Sequence, residues 1–345
     1  MTAATPRRPD SESPEGVTVR GVSPGDPAWG RALGVLLTGR DAARDPRVAA
    51  FEDYAQRAGL DASGMVAAFD ARGGTAGRPV AAAVAMESPG RTAMVLVSPL
   101  RGGGVGDGRV AAAAACVART LGRLAEDSVT MAQCLLDLDQ AGEAAALSAA
   151  GFSRLATLVY LRADLPGGRG PASRGGLPTV TVRDGGDVVA LKPWDETPAT
   201  RELFGRAILA SYRDTQDCPG LVGTRGIDDI LAGHRGSPGT HAFDPPLWNV
   251  ALIDEQPVGA LLLARLPEQD AVELVYLGVA DTARGRGLGK SLLRRGLAQA
   301  ARTGATQMLL AVDENNAPAI AMYRAAGFRS QQRRLAWVRF LQASP

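Results

Sequence analysis

The chain has 345 residues, 46% of them apolar and 21% charged, with a formal net charge of +2. That is enough for two domains of ordinary size with packed cores. A balance this near neutrality carries no global field toward nucleic acid or a membrane surface. The only cysteines, Cys116, Cys134 and Cys218, are widely spaced and form neither a disulfide framework nor a CxxC metal pair, which fits a reducing cytosol. With two histidines, His234 and His241, a three-histidine metal site is excluded. No apolar run approaches the roughly 20 residues of a membrane span, and a cytoplasmic location is expected.

Residues 1–16, MTAATPRRPDSESPEG, lack the apolar core of a signal peptide and read as a disordered tail. The spacing then predicts a helix over 50–59, strands over 79–87 and 91–98, and a helix over 109–126, followed by SVTMAQCLLD, AGEAAALSAAG and FSRLATLVYLRADL. DLPGGRGPASRGGLP (164–178) reads as a linker. Beyond it come a strand at VVALKPW and a helix over 198–212 with Pro198 in its first turn. Three strands follow at LWNVALID, QPVGALLLARL and AVELVYLGV, the first two joined by an acidic turn. An amphipathic helix spans 288–303, then a strand TQMLLAVD, a helix APAIAMYRAAG stopped by Gly327, and one or two closing strands in FRSQQRRLAWVRFL.

The halves echo each other. ALSAAGF (146–152) matches MYRAAGF (322–328), and RGGGVG (101–106) matches RGRGLG (284–289). A divergent tandem duplication is the reading. It gives a tail at 1–16, a first domain at 17–163, the linker, and a second domain at 179–345.

ARGRGLGKS (283–291) lies between a strand and a helix. It mimics a Walker A motif but carries Arg284 where that motif needs glycine, and Lys290 stands where a dinucleotide fingerprint needs its last glycine. What remains is Arg284-x-x-Gly287-x-Gly289. Small residues let successive N–H groups converge at a helix N-terminus, and Arg284, Arg286 and Lys290 add charge, a pattern suited to a pyrophosphate. A plain glycine-rich turn capping the helix is the other reading. Farther on, Asn316, Ala319 and Tyr323 fall at i, i+3 and i+7 on one helix face, ahead of Gly327-Phe328.

Together, GVADTARGRGLG and LLAVDENNAPAIAMYRAAGF resemble the GNAT N-acetyltransferase superfamily. Its pattern is Arg/Gln-x-x-Gly-x-Gly/Ala, a strand, then Asn-x-x-Ala-x-x-x-Tyr-x-x-x-Gly-Phe. The match covers about 250–341, and the tandem layout is similar to that of the mycothiol synthases, a two-domain branch. The resemblance implies an α/β fold of two tandem GNAT-like domains, each a mixed, mostly antiparallel central sheet flanked by helices. It implies acetyl-CoA as cofactor, with pyrophosphate on Arg284, Gly285, Arg286, Gly287, Leu288, Gly289 and Lys290, and the pantetheine arm along Leu277, Gly278 and Val279. Main-chain N–H at that strand end would face the thioester oxygen. The acceptor would be an amine, of a small molecule or of a protein, attacking directly without a cysteine nucleophile. Glu273, at even spacing from Val279 and therefore on the same strand face, would be the general base. Tyr323 would protonate the departing thiolate. Asn316 binds the cofactor or only caps its helix. Tyr212, Arg213, Asp214, Asp217 and Cys218 cluster where this fold places an acceptor loop.

In the first half, counting from the matched motifs sets Leu147 opposite Tyr323, Gln140 opposite Asn316, Arg91 opposite Glu273 and Asp107 opposite Lys290. That half is expected to have lost catalysis and to serve as scaffold or weak cofactor holder. A wholly non-catalytic acetyl-CoA-binding protein is the alternative for the chain. No metal, nucleic acid or membrane partner is expected.

Overall fold

The computed structural model describes residues 14–70, 77–100, 108–124, 128–166, 189–236 and 242–341. The tail up to residue 13, the loop 101–107, residues 167–178 of the linker and His241 lie outside them.

The described chain forms two compact units. Among the described residues, the first comprises those within 14–87, 92–154 and 337–341. Its strands are β1 (Val17–Gly21), β2 (Val66–Asp70), β3 (Pro79–Ser88), β4 (Thr92–Val97) and β5 (Met131–Leu136), neighbours in that order. Its helices are α1 (Trp29–Thr38), α2 (Pro46–Ala58), α3 (Gly108–Leu121) and α4 (Ala141–Ala149). Strands β1–β2 and β2–β3 pair antiparallel. Strands β4 and β5 pair parallel, through Thr92–Met94 and Met131–Gln133 only.

Among the described residues, the second unit comprises those within 88–91 and 155–336. It contains most of β6 (Ser153–Asp164), then β7 (Ala190–Pro193), α5 (Pro198–Ser211), α6 (Ile227–Arg235), β8 (Trp248–Ile253), β9 (Gln256–Leu266) and β10 (Ala271–Val279). After these come α7 (Leu288–Arg302), β11 (Gln307–Asp313), α8 (Ala317–Ala325) and the first part of β12 (Arg329–Phe340). The strand order is β12-β6-β11-β10-β9-β8-β7. Pairs β6–β11, β9–β10, β8–β9 and β7–β8 are antiparallel, and β10–β11 is parallel. The unit thus draws β6 from sequence ahead of the linker.

Local chemistry accounts for these elements. In β9, Leu261, Leu262 and Leu263 are all fully buried, the unbroken apolar run of a strand covered on both faces. The acidic turn before it places Asp254 at φ 47 and Glu255 at φ 63, two consecutive left-handed residues as in a type I′ hairpin. Helix α5 starts at Thr197, whose Oγ1 accepts the Thr200 N–H at 3.2 Å, with Pro198 in the first turn. It seats Phe204 against Trp194 and Trp248, all buried, with Trp194 at 5.1 and 5.5 Å from the two rings. Helix α7 inserts Leu288, Leu292 and Leu293, each contributing about 1.5–3 kcal/mol by burial. The closing segment forms a single strand, Arg329–Phe340, and α6 occupies sequence in which no element is predicted.

Candidate active site

The site follows from how β10 leaves its neighbours. It pairs with β11 only from Ala271 to Glu273, although both strands continue. On its other side it stays paired with β9 up to Val279, with a bulge at Val275. The bulge changes the strand's phase. Val272 and Leu274 pack with Leu293 and Tyr323, and Leu277 and Val279 pack with Leu288 and Leu292, all on the α7 side. Val275 and Tyr276 pack with Phe204 and Ile208 of α5. Glu273 alternates with Val272 and Leu274, so it lies on the face opposite Val279. The extra residue at Val275 breaks the even spacing between Glu273 and Val279.

A cavity of about 670 Å³ opens where β10 and β11 part. Leu277, Gly278, Val279, Arg284, Gly285, Gly287, Leu288, Gly289, Lys290, Asn316 and Tyr323 line it, as do Tyr212 and Asp217. Glu273, Arg286 and Cys218 are not among the lining residues. Asp214 of the expected acceptor loop lines it too, as do Ser211, Tyr276 and Met322, three residues to which the sequence alone gives no role. Tyr276 could be found only by knowing the bulge, and Ser211 only by knowing what it touches.

One wall suits an anion. Gly285 and Gly287 have φ of +79 and +78, and Gly287 begins α7 with no side-chain cap. The first N–H groups of the helix are therefore left for a ligand, at the positive end of its dipole. No acidic residue occupies the first turn, and Lys290 and Arg294 line the cavity beside it. The unpaired stretch of β10 supplies a strand edge next to this anion site. These features fit the pyrophosphate and amide-rich arm of acetyl-CoA. Asn316 does cap α8, its Oδ1 accepting the Ala319 N–H at 3.3 Å, while also lining the cavity.

Arg284 lines the cavity, but its guanidinium is committed elsewhere. It donates to the carbonyls of Val279 (3.1 Å), Ser211 (2.7 Å), Arg213 (2.7 Å) and Asp214 (3.4 Å). It thereby ties the loop after α5 to the end of β10 and adds positive charge at the C-terminus of α5.

The opposite wall is aromatic and acidic. Ser211 Oγ donates to the Ile208 carbonyl at 2.7 Å, so its short hydrogen bond with Tyr276 has the phenol as donor. A Cβ on Gly278 would sit 2.5 Å from the Tyr276 hydroxyl and 2.6 Å from Ser211 Oγ, so a larger residue here would have to displace that hydrogen-bonded pair. Burial raises the Tyr276 pKa, with Tyr212 adding to it. Asp217 Oδ1 accepts the Asp313 N–H at 2.9 Å, and Asp313 Oδ2 accepts the Cys218 N–H at 3.2 Å. Protein crowded around Asp217 lifts its pKa above the usual carboxylate range, and the Asp313 charge lifts it further. Burial, with Asp217 and Asp313 beside it, pushes the Cys218 thiol up to about 12. It carries no thiolate at neutral pH. Tyr323 is 7% exposed, and burial followed by the Asp217 charge raises its pKa, so it holds its proton. Burial and Arg225 lower the His234 pKa to about 4, leaving that imidazole neutral.

Residues 217–328 match the acetyltransferase (GNAT) family model. A mycothiol acetyltransferase of Clavibacter michiganensis subsp. michiganensis is 31% identical over 265 residues, 74% of this chain and 75% of that protein. One from Thermomonospora curvata is 30% identical over 190 residues, covering 55% of this chain and 57% of the relative, so the match spans little more than half of that protein. A GCN5-related N-acetyltransferase from Sphaerobacter thermophilus has a similar fold, with a TM-score of 0.53 at 19% identity over 97% of this chain and 98% of that one. The chain belongs to the acetyltransferase (GNAT) family, whose members take the acetyl group from acetyl-CoA.

Proposed function

We propose that the second unit transfers an acetyl group from acetyl-CoA to the primary amine of a small molecule, by direct attack and in the cytoplasm. The observation that carries this reading is one cavity bounded by an uncapped helix start, an unpaired strand edge and the buried phenol of Tyr323. Bound acetyl-CoA supplies a thioester carbonyl carbon open to an amine. The N–H groups at the start of α7 and along 285–290 hold its pyrophosphate. Main chain at Leu277–Val279 orients the arm and presents an N–H where negative charge develops on oxygen. Tyr323 gives its proton to the departing sulfur. For Glu273 to take the amine's proton, water must link it to the cavity. The small-molecule class is supported by the name of the relatives, which are mycothiol acetyltransferases.

In this reading the first half of the sequence does no chemistry. Its β4 and β5 pair over the same short parallel stretch as β10 and β11, which supports duplication. Leu147, opposite Tyr323, is a fully buried aliphatic residue, and Arg91 sits in the turn before β4 at φ 55. Neither offers an acid–base group to match the second half. The counterpart loop 101–107 lies outside the described residues.

The test is acetyl-CoA consumption by the full chain against amino-sugar thiols, polyamines, aminoglycosides, amino acids and peptides, with product mass read in parallel. CoA release coupled to an N-acetylated small amine is expected. Release with peptides alone, or none dependent on an amine, would overturn the proposal.

Arg284 has a part in it as a positioning residue. Arg284→Ala is expected to raise KM for the amine at least tenfold while moving KM for acetyl-CoA less. Arg284→Lys should recover only part of this, since an ammonium lacks the planar fork that reaches several carbonyls. Initial-rate kinetics in both substrates check it.

A further inference from the structure

We propose that Asp217 receives the ammonium group of a cationic acceptor and takes its proton. This rests on the reading of the cavity as an acetyltransfer site. The loop after α5 is fastened at both ends: Arg284 holds the Ser211, Arg213 and Asp214 carbonyls, and the Asp217–Asp313 and Asp313–Cys218 bonds fix the far end to the tip of β11. Asp217 is thereby held in the cavity at the parting of β10 and β11. One carboxylate oxygen is occupied by the Asp313 N–H, and among the described residues the other has no hydrogen-bond partner and no ion pair. Arg284, Lys290 and Arg294 line the same cavity, but none of them forms an ion pair with Asp217, and a carboxylate left in that state suits a cationic ligand.

The surroundings agree. Asp217 raises the pKa of Tyr212, Cys218, Tyr276 and Tyr323. Its own pKa is raised by burial, against the Asp313 N–H, which lowers it, and with the Asp313 carboxylate, which adds to the rise. The nearby guanidinium of Arg225 lowers the pKa of Tyr212 and is not among the groups that act on Asp217. Tyr212 and Tyr276 line the same wall edge-to-face, their ring centroids 6.4 Å apart. Two aromatic rings beside a carboxylate form a receptor for an ammonium ion. Tyr323, the proton donor, is near enough to feel the Asp217 charge.

An alkyl amine has a pKa of about 10 and arrives protonated at neutral pH. The ammonium passes one proton to the Asp217 carboxylate. The freed nitrogen lone pair forms the C–N bond as the C–S bond breaks, and sulfur takes the Tyr323 proton. The surplus proton on the new amide nitrogen returns to the Tyr323 oxygen, and Asp217 releases its own to solvent. The balance is an ammonium plus thioester giving amide, thiol and one proton. An amino acid would set its carboxylate against Asp217 and Asp214, so the acceptor class is an amine without an adjacent carboxylate, such as a polyamine or an amino sugar.

The experiment takes the amine acetylated fastest among putrescine, glucosamine, kanamycin, glycine and a peptide. It measures kcat and KM from pH 5 to 9 for the wild type, Asp217→Asn, Asp217→Glu and Glu273→Gln. Asn keeps the oxygen that accepts the Asp313 N–H, so the loop stays in place. In Asp217→Asn, kcat should fall at least about 100-fold, the acid limb of the kcat/KM profile should vanish, and KM for acetyl-CoA should stay within about twofold. Asp217→Glu should restore the limb. Glycine as the fastest acceptor would overturn the inference, as would a wild-type profile in Asp217→Asn with the limb lost in Glu273→Gln. Failure of the wild type on every amine would instead remove the acetyltransfer reading beneath it.

Discussion

Tyr323→Phe should lower kcat by about 10²–10³-fold, with the KM for amine and for acetyl-CoA both within about twofold. The substitution deletes one oxygen and keeps the ring, which packs on Phe328 at 5.7 Å and is 7% exposed. The fold therefore has no reason to change. The hydroxyl lost is one whose pKa burial and the Asp217 charge both raise, so it is a protonated donor throughout the neutral range. A donor used only as sulfur departs contributes to the transition state and not to ground-state binding. Steady-state kinetics separate the possibilities: a rise in KM alone would mean that Tyr323 only shapes the cofactor wall.

Gly287→Glu should weaken acetyl-CoA binding at least about 100-fold, read by calorimetry, with the circular dichroism spectrum unchanged. Gly287 has φ +78, and a Cβ there meets nothing within 4 Å. The backbone cost for a larger residue is on the order of 1–2 kcal/mol, small against the stability of a packed unit of this size. The decisive effect is a carboxylate at the uncapped start of α7, where the helix dipole and the free N–H groups favour an anionic ligand. Gly287→Ala carries the strain without the charge and should lose far less. Unchanged affinity in Gly287→Glu would remove the pyrophosphate from this loop.

The sequence made much of the fold legible because its signals are local. QPVGALLLARL and AVELVYLGV coincide with β9 and β10, where apolar runs end at turn residues. Pro198 and Gly327 mark the start of α5 and the end of α8 because each constrains or frees a single backbone angle. Strands β1 and β2 and helix α1 went unassigned, and so did α6. Most of β6 packs in the second unit although it precedes the linker, and pairing between distant strands leaves no periodic trace. The site divides the same way. The glycine loop and Asn316-x-x-Ala319-x-x-x-Tyr323 are contiguous patterns on single elements. The Val275 bulge is a mismatch between two strands, so spacing along β10 alone could not reveal which face Glu273 takes. The four carbonyls held by Arg284 belong to residues 211, 213, 214 and 279. An arginine's charge suggests phosphate binding until those partners are seen.

Direct transfer at the cavity of the second unit, the proposed reaction, has its own single-turnover signature. It is tested most directly by a single-turnover experiment with excess full-length protein and acetyl-CoA labelled in the acetyl group, followed by intact mass before and after an amine is added. The protein should be unmodified before the amine, and afterwards label should appear only as the amide, at a rate that falls with Tyr323→Phe. A labelled acetyl group on the protein before the amine arrives, on Cys218 or elsewhere, followed by its transfer to the amine, would contradict it. So would amide formation at the wild-type rate in Gly287→Glu.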